Sequence, residues 1–220
     1  MSQYELIVFD WDGTLMDSTG HIVNCMQQAI AQLNLAPLDD SAISHIIGLG
    51  LNEAAYALYP DANAATITLL ADTYRDIWLS NPLDTPLFSN AYDLVQSLSK
   101  QNYFLGVATG KSRRGLDKVL ISSKLGSLFQ ATRCAGECHS KPHPQMLEEL
   151  IAYFGVDANK TLMIGDTEYD LQMAYNAGAD SLGISHGAHG IATLQACQPK
   201  AIVADLYQAE QWLSNLSPSL

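Results

Sequence analysis

Leu6-Ile7-Val8-Phe9-Asp10-Trp11-Asp12-Gly13 sets four apolar residues directly before two acids and a turn-forming Asp-Gly pair. The run Tyr4–Phe9 lacks polar alternation, so it predicts a short strand buried on both faces and ending at Asp10. Downstream, residues 18–80 carry a helical period instead. Ile22, Met26, Ile30 and Leu33 share one face, and Ile67, Leu70, Tyr74, Ile77 and Trp78 share another. A short apolar helix around Ile43–Ile47 and the loop Gly48-Leu49-Gly50 lie between them, and Asn81-Pro82 and Thr85-Pro86 punctuate the exit. The chain then alternates. A helix near 89–100 precedes a strand Phe104–Ala108, and a helix Ser112–Lys124 with inner residues Leu116, Val119 and Leu120 precedes a weak strand near 130–134. Pro142 and Pro144 open a helix bearing Met146, Leu147, Leu150, Ile151 and Phe154. Strand Thr161–Gly165, helix Tyr169–Asn176, strand Ser181–Ile184, a helix at 191–197, strand Ala201–Val203 and a helix ending near Leu213 complete the pattern. Such alternation predicts an α/β fold with a parallel sheet covered by helices on both faces. Residues 16–85 form a small all-helical subdomain within it, leaving 1–15 and 86–220 as the core domain.

Size and composition bound the function. With 220 residues, 48% of them hydrophobic, the chain can fill one core plus a modest insertion. A net charge of −12 disfavours nucleic acid, whose phosphates are held by basic surfaces. The charge is uneven. Residues 15–85 hold eight acids and one base, Arg75, whereas five of the eleven bases crowd into residues 111–124. The four cysteines are too scattered for a disulfide framework, and Cys134 and Cys138 lack a second pair to complete a zinc tetrahedron. Free thiols, an N-terminus without signal-peptide character and the lack of any run near ~20 apolar residues predict a cytoplasmic protein outside the membrane. Nothing in the sequence sets an oligomeric state.

Ligands of open parallel sheets bind beyond the carboxyl ends of the strands. The polar residues at those places are Asp10, Asp12, Thr109, Lys141, Asp166 and Asp170. Four converging carboxylates repel one another, so a divalent cation is the natural neutraliser, and an oxygen-only donor set favours magnesium. Here the residues meet a known family. Asp10-Trp11-Asp12-Gly13-Thr14-Leu15 resembles the D-x-D-G-T-L/V opening of haloacid-dehalogenase-like phosphatases. Thr109, Lys141-Pro142-His143-Pro144 and Gly165-Asp166-Thr167-Glu168-Tyr169-Asp170 are similar to its other three motifs, in the same order. The resemblance spans nearly the whole chain and is nearest to the phosphoglycolate-phosphatase-like branch, whose helical cap is inserted where residues 16–85 stand.

That resemblance implies a Rossmann-like core and a magnesium-dependent hydrolysis of small phosphate monoesters through an aspartyl-phosphate. Asp10 becomes the nucleophile, and Asp12 protonates the leaving alkoxide and later takes a proton from water. Magnesium falls to Asp10, the main-chain carbonyl of Asp12, and Asp166, with Asp170 as direct or water-mediated support. Thr109 and Lys141 hold phosphoryl oxygens, and Gly110 and Lys111 border the substrate. Dehalogenases lack the second acid, so Asp12 points to phosphoryl chemistry. Two alternatives stay open: a sugar phosphomutase, against which Thr14 weighs mildly, and a non-catalytic binding protein that keeps the fold.

Several features need separate readings. Gly110-Lys111-Ser112 imitates the end of a nucleotide-binding P-loop, but the glycine required upstream is displaced to Gly106. His186-Gly187-Ala188-His189-Gly190 reads as a glycine-hinged loop near the site rather than a histidine metal motif. The branch commonly carries Pro-Gly where this chain has Ser89-Asn90, a structural change. It also carries Thr-Asn-Lys where this chain has Thr109-Gly110-Lys111, which removes an amide beside the phosphoryl group. Because the insertion is so acidic, Lys111 is the expected reader of a second substrate anion, ahead of Arg113 and Arg114.

Overall fold

A computed structural model describes residues 3–80 and 85–216. Six strands, β1 (Leu6–Phe9), β2 (Phe104–Thr109), β3 (Ala131–Cys134), β4 (Thr161–Gly165), β5 (Asp180–Ile184) and β6 (Ala201–Val203), form one sheet in the order β3-β2-β1-β4-β5-β6. Every pairing is parallel. This is the doubly wound, Rossmann-like order, and its reversal point lies between β1 and β4, where such sheets open a crevice.

Side chains of β1 go alternately to two separate cores. Ile7 and Phe9 join Leu105, Val107, Leu162 and Ile164 under helices α5 (Ala91–Lys100), α6 (Arg113–Ser122) and α10 (Leu206–Leu216). Leu6 and Val8 join Met163 and Ala108 under α7 (Gln145–Phe154) and α8 (Glu168–Asn176). A strand buried on both faces cannot show polar alternation, which is why its sequence reads as a plain apolar run. Each fully buried Leu, Ile or Phe contributes about 1.5–3 kcal/mol, so both layers clamp β1 and fix where its end lies. Phe9 pairs in register with Val107 and with Ile164, and the Asp10 amide donates to the Ile164 carbonyl at 3.0 Å. Asp10 therefore begins where the ladder ends.

The segment between β1 and α5 is helical: α1 (Thr19–Gln32), α2 (Asp40–His45), α3 (Leu51–Leu58) and α4 (Ala64–Ser80). It has its own core of Met26, Ala29, Ile30, Ile43, Ala55, Ile67 and Leu70. The two chain crossings into the insertion lie side by side, with the Asp17 amide donating to Pro86 O and the Phe88 amide to Leu15 O, both at 2.9 Å. Three details differ from the sequence expectation. The α1 stripe is rotated, with His21, Cys25 and Ala29 buried beside Met26 and Ile30 while Ile22 is only half-buried; the small Ala29 and Cys25 allow close approach to α4. Helix α3 follows the Gly48–Gly50 loop as a separate element. Pro142 lies in a turn ahead of α7 rather than in its first turn, and Pro144 is the N-cap. The Asn81-Pro82 turn falls outside the described residues. Asn90 takes the left-handed conformation (φ 68°), which asparagine tolerates next best to glycine, and its amide ties α5 to Glu210 Oε2 at 2.9 Å. The remaining helix, α9 (Ile191–Ala196), precedes β6. Among the described residues no helix is long and apolar enough to cross a membrane.

Candidate active site

Asp10, Asp12, Thr109, Lys141, Asp166 and Asp170 are all buried. Asp10, Asp166 and Asp170 each bring one carboxylate oxygen within 4.8 Å of the others. Lys141 sits against two of them, its Nζ 2.8 Å from Asp10 Oδ1 and donating to Asp170 Oδ1 at 2.7 Å. Three buried carboxyl groups face one buried ammonium, so full ionisation would leave two negative charges uncompensated within this group. Burial pushes the Asp10 carboxyl up to about 7, with Asp170 and Asp12 adding to the rise and Lys141 opposing it. Burial, then Asp10 and Asp170, push Asp166 well above the ordinary carboxylate range. Burial works against the Lys141 ammonium, yet Asp10 and Asp170 outweigh it and hold its pKa above the usual value. Both oxygens of Asp10 are buried; Lys141 Nζ approaches Oδ1 as an ion pair, and Oδ2 has no donor among the described residues. Buried oxygens without a donor are rare and ask for a partner. A divalent cation with oxygen preference fits this trio in charge and donor type.

Neighbouring backbone sets each acid. Asp166 ends β4 and is gripped from two sides, by Thr14 Oγ1 donating to Oδ1 at 2.6 Å and by the Ala188 amide donating to Oδ2 at 2.7 Å. Gly13, at φ 80°, faces Asp166 so closely that a Cβ would fall 2.2 Å from Oδ2, so both its conformation and its contact require glycine. Asp170 lies in the first turn of α8. Thr167 and Asp170 form a reciprocal capping box there, in which the Thr167 amide and hydroxyl donate to Asp170 Oδ2 at 3.1 and 2.7 Å. Thr109 closes β2, and Lys141 enters from the turn before α7.

Asp12 stands apart from the trio. Its two oxygens accept from Lys111 Nζ at 2.7 and 2.8 Å, and Oδ1 also accepts from Ser18 Oγ at 2.5 Å. Any contribution of Asp12 to a cation would thus come from its main chain. Lys111, expected to read a substrate anion, is already engaged by Asp12 and lies 5.1 Å from the centroid of the Trp78 ring. Tyr74 is near as well; burial and then the Asp12 charge raise its hydroxyl pKa well above normal. Arg113 instead ties α6 to the β3 side through Glu137 and Thr132.

The insertion touches this edge of the sheet at a few points. Gly110 faces the main chain of the Gly48–Gly50 loop, where a Cβ would lie 2.4 Å from Leu49 O and 2.8 Å from Gly48 O. No side chain fits there, which accounts physically for glycine in place of the branch's asparagine. The Gly50 amide donates to Ser140 Oγ at 2.8 Å, beside Lys141. His45 stacks on His189 with ring centroids 4.7 Å apart, and the Tyr169 hydroxyl donates to His45 O at 3.0 Å. His189 Nδ1 accepts from the Glu168 amide at 3.1 Å, so Nε2 carries the hydrogen and donates to His45 O at 3.0 Å. Both ring nitrogens of His189 are thereby engaged in holding loops together.

The family-wide sequence profile described as haloacid dehalogenase-like hydrolase matches residues 7–184, which include Asp10, Asp12, Thr109, Lys141, Asp166 and Asp170. The chain belongs to the haloacid dehalogenase-like hydrolases. Among curated relatives it is 32% identical over 203 residues to the "Probable phosphatase IndB" of Dickeya dadantii, covering 90% of this chain and 88% of that one. It is 25% identical to the "Pyrophosphatase PpaX" of Bacillus mycoides over 90% of this chain and 91% of that one. A crystal structure of a predicted phosphoglycolate phosphatase from Haemophilus somnus superposes with a TM-score of 0.86 at 22% identity, covering 96% of this chain and 99% of that one. As in this haloacid dehalogenase-like hydrolase, the family's Rossmann-type α/β fold is shared even where identity is low. The sequence reading missed Thr14 as the support of Asp166, Ser18 and Lys111 as partners of Asp12, and the Thr167–Asp170 box. Only the last had a readable signal, the spacing Thr-x-x-Asp at a helix start.

Proposed function

We propose that this haloacid dehalogenase-like hydrolase is a magnesium-dependent phosphatase of small phosphate monoesters in the cytoplasm, with Asp10 as nucleophile and residues 16–85 as its cap. One observation carries the reading: a fully buried carboxylate, Asp10, at the topological reversal of the sheet, with a buried ammonium 2.8 Å from one oxygen and no donor among the described residues for the other. Such a group is poised for bonding to an electrophile rather than for holding the fold together. Asp10, Asp166, the Asp12 carbonyl and Asp170 would hold magnesium, which supplies charge neutralisation for the phosphoryl group. The names of the relatives support phosphoryl substrates, and four free cysteines agree with a reducing compartment.

The chain's own residues divide the work. Asp10 Oδ forms a bond to phosphorus as the bond to the leaving oxygen breaks, and Asp12 gives that oxygen its proton. Water then attacks the aspartyl-phosphate, its proton passes to Asp12, and Asp10 leaves with its electron pair to release inorganic phosphate. Thr109 and Lys141 bind phosphoryl oxygens throughout, and the Gly48–Gly50 loop, pressed on Gly110, keeps bulk water out. Gly110 and Lys111 border the leaving group. An acid quench with labelled phosphate ester and magnesium tests this. The label should stay on the Asp10 peptide of wild type and be missing from Asp10→Asn. Given a hexose 1-phosphate, the enzyme should release free phosphate; accumulation of the 6-phosphate isomer would make it a mutase. Calcium should bind but fail to support turnover, because its larger and less directional shell would not hold Asp10 as the near-octahedral preference of magnesium would.

A further inference from the structure

Asp12 is held by more partners than a proton shuttle needs in order to stay folded. Lys111 Nζ contacts both its oxygens, and Ser18 Oγ contacts Oδ1. The Lys111 and Asp12 side chains are only 10% and 12% exposed. These partners come from different parts of the chain. Lys111 follows β2 of the core, Ser18 is the N-cap of α1, and Trp78, whose indole covers the Lys111 ammonium at 5.1 Å, belongs to α4 of the insertion. Trp78 is itself steadied, with His21 at 4.4 Å and Tyr74 at 6.1 Å between ring centroids. A lysine on a four-carbon stem ordinarily samples many rotamers, so a salt bridge on one end and an aromatic face on the other restrict it together.

We propose that Lys111 is the positioning residue of Asp12. With Ser18 it fixes the carboxylate in the orientation that serves the leaving oxygen, and Trp78 makes that orientation depend on the insertion's being closed. The proposal rests on the phosphatase reading with Asp12 as acid and base. It replaces the expectation that Lys111 reads a second substrate anion. An ammonium whose charge already serves both oxygens of Asp12 could bind another anion only by deserting the acid. The bond changes are those given above. Lys111 keeps its protons, and the leaving oxygen receives its proton from Asp12 alone.

The test separates orientation of the acid from binding. Purified full-length enzyme with magnesium is assayed on p-nitrophenyl phosphate, whose leaving group departs without a proton, on ethyl phosphate, whose leaving group needs one, and on 2-phosphoglycolate. Lys111→Ala should lower kcat/KM on ethyl phosphate by roughly 30- to 100-fold, part of the ~10²–10⁴ that acid–base catalysis supplies; this constant covers the steps up to departure of the leaving group and not the later attack of water, which every ester shares. On p-nitrophenyl phosphate it should lower kcat/KM less than about threefold, and Lys111→Arg should recover most of the loss on ethyl phosphate. An equal fall in kcat/KM on both esters overturns the proposal, as does a fall confined to 2-phosphoglycolate, which would make Lys111 an anion reader. Trp78→Leu keeps the ion pair but removes the indole, and provides the reading if Lys111→Ala does not fold. It should show the same preference for the activated ester at smaller amplitude, and an unchanged ratio of the two esters overturns the indole's part. If wild type releases no phosphate from any of the three, or Asp10→Asn turns over normally, the phosphatase reading itself fails.

Discussion

The sheet edge between β1 and β4 and the helical insertion above it are built on opposite terms. At the edge, Asp10, Lys141, Asp166 and Asp170 are buried, and each is fixed by a strand end, a helix cap or another charge. The insertion reaches the same place through isolated contacts: Leu49 O over Gly110, the Gly50 amide on Ser140, His45 on His189, and Trp78 over Lys111. The first arrangement concentrates charge that the fold alone does not neutralise. The second meets the edge through separate contacts contributed by different parts of the insertion.

Breaking the rigid side should have the largest effect. Asp10→Asn keeps the volume and removes the proposed nucleophile, so phosphate release measured with excess magnesium should fall on the order of 10³-fold or more, with the circular dichroism spectrum retained. Multiple turnover near the wild-type rate would dissolve the distinction between the two regions.

Lys141→Met leaves Asp10 and Asp170 without their buried counter-charge. Removing one member of a buried ionic group costs about 3–5 kcal/mol, so the melting temperature in chelator should drop sharply and magnesium should recover part of it. The same charge excess has a pH signature. Asp10, with its carboxyl pushed up to about 7, holds its proton in the folded state over a range where the unfolded chain has released it. Stability of the metal-free protein should therefore decline as pH rises from about 4 to about 7, and the raised Asp166 carboxyl acts in the same direction. Thermal melts at pH 5 and pH 8 in chelator should show the higher temperature at pH 5, and magnesium should narrow the difference. A metal-free melting temperature that rises over this interval would mean that the edge is not overcharged.

Gly110→Asn probes the loose side, because the new side chain must displace the Gly48–Gly50 loop. The core should fold normally while kcat/KM for small esters falls by about 10- to 30-fold, equivalent to about 1.4–2 kcal/mol. Unchanged kinetics would show that closure of the loop does not matter. The smallest effect is expected at Arg75, an exposed residue of α4 paired, among the described residues, with Asp72 three positions earlier. Arg75→Ala should move stability by less than about 0.5 kcal/mol and leave kinetics alone; a larger KM effect there would place anion selection in the insertion.

Much of this was legible in the linear chain because it depends on short-range chemistry. The strands Thr161–Gly165 and Ala201–Val203 are readable at both observed ends, and the run Tyr4–Phe9 at its end but not at its start, which the structure places at Leu6; buried parallel strands are continuous apolar segments that stop where polar residues begin. The six polar residues beyond those strands could be picked out by order alone. The α1 stripe was not readable in detail, because Ala29, Cys25 and His21 are buried by a neighbour, α4, that hydrophobicity at helical spacing does not reveal. The α7 start was misjudged because a proline-rich turn resembles a first helical turn until its backbone path is known.

The sequence by itself determined the sheet, the identity of the acids and lysine at its edge, and the acidic, helical character of the insertion. These follow from residue types and their order, which local physics converts into strands, helices and turns. Only the tertiary structure decided which acid joins which partner. Asp10 and Asp12 are two residues apart, yet one faces Lys141 and the other Lys111, 131 and 99 positions away, because both lie past the end of β1, where the chain leaves the ladder and enters the turn at Gly13 instead of continuing the strand's alternation. The fit of Gly110 beneath Leu49 is of the same kind, a contact between segments that meet only once the insertion has folded over the sheet.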